Sequence, residues 1–168
     1  MASVAPPARR SLLDRLLPDR LLGALAWVLL AVAIVAVVRG RHEWAQVPRA
    51  VWFHLATIAV VLVLTPVMLT RRKGDRRHRQ LGWIWAGAMW ATALFSLTIA
   101  PPRGMLFSPI VLLSLFVLYA VPRLILQARA HDVVAHRGTV RGLVIGGLLI
   151  AGFFTFPFNR LLGHWLFG

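Results

Sequence analysis

Five runs of about 20 residues, each almost free of charge, follow one another along this chain. They are Leu21–Val38, Val51–Leu69, Leu81–Ala100, Phe107–Leu126 and Val140–Phe156. A segment of that length and composition spans roughly 30 Å of hydrocarbon when helical, because a helix rises about 1.5 Å per residue. Lipid offers no partners for backbone N–H and C=O groups, so a spanning segment must be a helix or belong to a closed barrel. Polar and apolar residues do not alternate here, which argues against barrel strands. The expected fold class is therefore all-α: a polytopic transmembrane bundle of five spans.

Composition supports this class. The 168 residues are 59% hydrophobic and only 14% charged, against roughly 25% charged in a soluble domain. The net charge of +14 on a soluble protein would point to nucleic acid. Here the basic residues sit at the ends of apolar runs, where anionic lipid headgroups are the nearer partner, at about 1 kcal/mol per Lys or Arg. No nucleic-acid partner is expected. The absence of cysteine excludes disulfides, thiolate metal sites and covalent haem attachment.

The arginines also orient the chain. Arg9, Arg10, Arg15 and Arg20 precede the first run. Arg71, Arg72, Lys73, Arg76, Arg77 and Arg79 fill the loop after the second, and Arg123, Arg129, Arg137 and Arg141 lie at and between the adjoining ends of the fourth and fifth. Five remain for the other side: Arg39, Arg41, Arg49, Arg103 and Arg160. Positive charge accumulates in the cytoplasm, so the N-terminus is expected inside and the C-terminus outside. Tryptophans near the run ends (Trp44, Trp52, Trp83, Trp85, Trp165) read as interfacial anchors, and Trp27 and Trp90 as deeper packing residues. Ala31-Val32-Ala33 matches a signal-peptidase site. The apolar run continues through Val38, however, so the first span is expected to be retained. Residues 1–18 read as a cytoplasmic tail in which Leu12, Leu13, Leu16 and Leu17 form a short amphipathic turn.

No carboxylate lies within a run: the acids are Asp14, Asp19, Glu43, Asp75 and Asp132. That disfavours ion-coupled transport and leaves no carboxylate pair for acid–base chemistry. No catalytic motif and no metal-ligand spacing is present. Ser and Thr residues within the runs read as hydrogen-bonding contacts between helices. Gly138, Gly142 and Gly146, four apart with Gly147 beside the last, form a small-residue stripe suited to close helix contact. Gly82, Ala86 and Gly87 on the third run are the expected facing surface.

The histidines are the remaining candidates. His54 lies one turn inside the second run and needs a partner on another helix. His78 and His136 stand at the starts of the third and fifth runs, which run in the same direction, so both belong to the same leaflet. One reading makes them axial ligands of a haem b held between helices, with Arg79 and Arg137 among the arginines available to its propionates. Gly82, one turn above His78, would leave room for the macrocycle. His54 with His164 would be a second, outer pair. The other reading makes His78 and His136 interfacial groups facing lipid phosphate at helix N-termini. The cofactor-binding candidates are thus His78, His136, His54, Arg79 and Arg137. The favoured function is a non-catalytic bundle that binds anionic lipid, a membrane partner subunit or a second copy of itself, and haem binding is the alternative.

Phe53-His54-Leu55-Ala56, then Arg72-Lys73-Gly74 with His78-Arg79 and Leu81-Gly82, then His136-Arg137 and Phe156-Pro157-Phe158-Asn159-Arg160, form a combined pattern. This pattern resembles the bacterial predicted membrane proteins grouped as domain of unknown function 2306. The resemblance covers about Val51–Leu162. It implies a small helical bundle in a bacterial cytoplasmic (inner) membrane, with 51–162 as its four-span core; the additional span and outer loop expected over 19–50 and the outer tail expected over 163–168 lie outside it. It implies that His54, His78 and His136 belong to a shared pattern, and it brings no activity with it. Gly138 departs from the bulkier residue the pattern favours after His136.

Overall fold

The computed structural model describes residues 16–99, 109–157 and 160–168. The N-terminal arginines through Arg15, Leu12 and Leu13, Arg103, and Phe158-Asn159 lie outside the described residues. Helix α1 covers Asp19–Arg39 and passes into a 3₁₀ segment, Gly40–Gln46. Helices α2 (Arg49–Thr70), α3 (Arg76–Thr98) and α4 (Pro109–Arg129) follow. The fifth rod, α5, begins as Val133–Gly142, widens into π-helical turns over Leu143–Ile150 and closes with Ala151–Phe153. A short helix, α6, covers Leu161–Phe167. No strand occurs among the described residues, and five of the rods are long and apolar enough to cross a membrane. The all-α bundle read from the sequence is the architecture observed.

Helix starts are set by local chemistry. Pro18 and Pro48 precede α1 and α2. Asp75 caps α3, its carboxylate accepting the His78 N–H at 2.6 Å, and Asp132 caps α5 by accepting the Ala135 N–H at 3.0 Å. Such caps satisfy N–H groups that have no partner inside the helix. They also move the last span: it begins at Val133 rather than Val140, and the chain turns at Phe154. Hydropathy missed the polar first turn because Asp132 begins the helix several residues before the apolar run.

One core joins all five rods. Leu22 and Ala26 of α1, Val61 and Leu62 of α2, Met89 of α3, Val117 and Val121 of α4, and Leu143 and Leu148 of α5 form a single buried cluster. A smaller cluster gathers Ala36, Leu162 and Trp165, where α6 folds back on the end of α1. Two close approaches shape the bundle. Gly23 lets α1 lie against Pro66, whose Cβ is 3.2 Å from where a side chain at 23 would begin. Gly147 likewise admits Val117 and Met89, at 2.9 and 3.0 Å.

The rest of the glycine stripe behaves otherwise. Gly138 faces open space, and Gly142 and Gly146 meet Phe116 at ordinary contact distance. The expected facing surface on α3 is used only in part: Ala86 is buried in the core, Gly82 lies beside Met68 of α2, and Gly87 faces open space. The π turns rotate α5 so that Gly147, rather than the four-residue stripe, meets the core.

Tryptophan placement differs from the sequence reading in both directions. Trp85, expected at an interface, is buried, and its Nε1–H donates to the Thr65 hydroxyl at 2.9 Å. Trp27 and Trp90, expected to pack, are 48% and 42% exposed. Spans this apolar on every side carry no sequence mark of which face turns inward.

Candidate functional site

The end of the bundle that holds the α2–α3 loop gathers most of the polar chemistry. Its centre is Asp19. One carboxylate oxygen accepts from Arg141 Nη1 at 2.8 Å, and the other from Lys73 Nζ at 2.8 Å, with Arg137 Nη2 at 3.6 Å. Arg141 also donates to the Leu17 carbonyl at 2.6 Å. Three cations from the loop and α5 thus converge on one acid at the start of α1, and the cluster keeps a surplus of positive charge. Only the Asp19–Arg141 contact is buried, with side chains 19% and 9% exposed; Lys73 and Arg137 are about half exposed.

Beside the cluster stand the two helix-start histidines. His78 is the third residue of α3 and His136 the fourth of α5. His136 Nδ1 lies 3.2 Å from the Leu124 carbonyl of α4. As a donor there it would leave Nε2 with its lone pair free, the arrangement that orients a metal-ligating imidazole. His78 Nδ1 is buried without a hydrogen-bond partner, as are Arg71 Nε and Gln127 Oε1.

The other candidates take separate places. Arg79 reaches back to the Gly74 carbonyl at 3.4 Å, and Arg137 leans to Asp19. The space beside Gly82 that a flat macrocycle would use is occupied by Met68. His54 sits toward the opposite end of α2, where its Nδ1 lies 3.2 Å from the Thr92 carbonyl and 3.1 Å from Ser96 Oγ. This is the interhelical partner the sequence demanded without naming. Thr92 Oγ1 and Thr57 Oγ1 meet beside it at 2.8 Å, so a polar seam joins α2 to α3. His54 and His164 have different partners: His164 Nε2 lies 3.5 Å from Glu43, as does His42 Nε2. Trp165 Nε1 donates to Glu43 at 2.8 Å. His42 and His164 thus converge on Glu43, and His54 stands apart from them.

Electrostatics of the exposed loop follow from its single acid. Arg71 donates to Asp75 at 3.0 Å, and with the His78 N–H it holds the Asp75 carboxyl below its ordinary range. Arg72, Arg76, Arg77 and Arg79 remain exposed around it.

Sequence reasoning missed the Asp19 cluster. The available signal was Arg141, a charge inside the fifth apolar run, which requires a partner when the run enters a membrane. Its partner lies 122 residues away, beyond the reach of any local pattern. No family model matches the chain, and neither does a curated protein or a solved structure. What the fold and hydropathy define is a multi-pass helical membrane protein.

Proposed function

We propose that this protein is a non-catalytic membrane bundle whose arginine-rich end binds anionic phospholipid headgroups. The observation that carries the reading is the charge balance at that end. Asp19 and Asp75 engage Lys73, Arg137, Arg141 and Arg71, while Arg72, Arg76, Arg77 and Arg79 project from the surface. Arginine suits phosphate because its planar fork donates two parallel hydrogen bonds. The distribution of arginine along the chain supports a cytoplasmic location for this end. The resemblance to domain of unknown function 2306 supports a bacterial inner membrane.

The test is lipid retention. The Arg72, Arg76, Arg77 and Arg79 to Gln variant, purified from mixed-lipid nanodiscs, is expected to lose several-fold of its bound phosphatidylglycerol and to keep its phosphatidylcholine. Unchanged phosphatidylglycerol retention overturns the proposal.

A second reading, haem b between His78 and His136, is favoured by the place of both at helix starts at one end of the bundle and by the Leu124 carbonyl at His136 Nδ1. Those imidazoles would hold the iron, and the haem would supply one-electron chemistry. A reduced-minus-oxidised spectrum after haem-replete expression decides it. Absence of a Soret band rejects the reading; a band lost in both His78→Ala and His136→Ala supports it.

A further inference from the structure

At the opposite end from the Asp19 cluster, the outward side of α1 carries two apolar grooves that meet at Val32. One, about 290 Å³, lies between Leu25 and Val28 of α1, Phe153 at the end of α5 and Phe156 just beyond it. The other, about 440 Å³, continues past Val35 to Arg39 and is walled by Leu166 and Phe167 of α6. The two share Val32 and lie end to end along the exposed side of the helix, as one shallow channel open to the surroundings. Its floor is close-fitting because Leu29 lies directly against Gly152, where no side chain could be accommodated.

Length and charge define what the channel suits. From Leu25 to Arg39 the helix advances about 21 Å at roughly 1.5 Å per residue. Half of a 30 Å hydrocarbon core is roughly 15 Å. The channel therefore covers the full depth of one leaflet and ends in a guanidinium at the height of the headgroups. Arg39 forms no ion pair among the described residues. The acid four residues on, Glu43, is engaged by Trp165, His164 and His42 instead. An aliphatic trough closed by one available arginine matches an acyl chain that carries a phosphate at its head, and arginine pairs with phosphate in bidentate fashion.

We infer that this channel is a binding site for one anionic phospholipid, with an acyl chain along Leu25–Val35 and the phosphate on Arg39. The site is separate from the arginine-rich end and does not depend on it. Its walls come from α1, α5 and α6, so the short α6 acts as the side wall that turns an open helix face into a trough.

The experiment uses the full chain in nanodiscs containing a trace of phospholipid with a photoreactive acyl chain, as phosphatidylglycerol or as phosphatidylcholine. Labelled positions are mapped by peptide mass spectrometry. Labelling is expected on α1 between Leu25 and Val35 at several-fold the level on the outward side of α4 around Leu112 and Leu115, which are at least as exposed as Leu25 and Val35. It should be several-fold stronger for phosphatidylglycerol. Arg39→Gln should erase that headgroup preference and leave the phosphatidylcholine signal. Val32→Trp should lower both signals by obstructing the junction of the grooves. Equal labelling of α1 and α4, or a preference that survives Arg39→Gln, overturns the inference. So does cross-linking of α1 to a second copy in place of lipid. The Arg72, Arg76, Arg77 and Arg79 to Gln variant should leave the α1 labelling unchanged, which separates failure here from failure at the other end.

Discussion

At the scale of single residues, the strongest commitment in this molecule is the Asp19–Arg141 pair. Arg141 is nearly buried, and a charge so placed is costly unless paired. Removing the Asp19 carboxylate takes away a charge that balances Arg141, whose hydrogen bond to the Leu17 carbonyl remains, and the loss of a partner from a buried ion pair costs about 3 kcal/mol. Asp19→Asn is therefore expected to lower the unfolding midpoint in detergent strongly. Lys73→Ala, which removes a half-exposed partner of the same acid, should cost about 1 kcal/mol or less. Chemical unfolding followed by helical circular dichroism measures both. If the two variants were equally stable, the pair would not be the pivot described above. His54 illustrates the limit of sequence reading at this scale. Its need for a partner was legible from its depth, but the choice of Thr92 and Ser96 depended on how α2 and α3 rotate against each other.

At the scale of helices, the spans were legible but their polar first turns were not. Asp75 and Asp132 cap α3 and α5, and an apolar run by itself starts α5 at Val140, seven residues late. The glycine stripe on α5 was legible as a small-residue pattern, but its use was not, because the π turns over Leu143–Ile150 change which residues face the core. Two substitutions separate the pattern from its use. Gly138→Ala meets open space and should stabilise α5 by up to about 1 kcal/mol, the difference in helix propensity. Gly147→Val would force its side chain into Val117 and Met89 and should cost about 1–3 kcal/mol, as overpacking does. The same unfolding measurement reads both, and equal effects would mean that α5 packs through the stripe after all.

At the scale of the whole molecule, the five spans bury only part of their surface inside the bundle, and large apolar side chains such as Val28, Phe53, Leu112 and Phe153 face outward. Such a surface is stable in lipid and exposed to aggregation in water. The orientation expected from the arginines is directly testable, because the chain contains no cysteine and single cysteines report cleanly. A cysteine at Arg72 should react with a membrane-impermeant maleimide only when the cytoplasmic face is accessible, and one at Ala45 only from the other side. The reverse pattern would invert the topology and place the arginine-rich end outside.

By itself the sequence determined the class, the number of spans and their approximate limits. It could do so because a run of about 20 apolar residues has few structural solutions in lipid, and the test for such a run is local. Only the tertiary structure decided which polar groups meet. Asp19 with Arg141 and Glu43 with Trp165 are each separated by 122 residues. Trp85 turns inward while Trp27 and Trp90 turn outward. These outcomes depend on the rotation of each helix about its own axis. Helices apolar on all sides carry little record of that rotation in their hydropathy, so packing at Gly23 and Gly147, together with a few buried charges and hydroxyls, had to settle it.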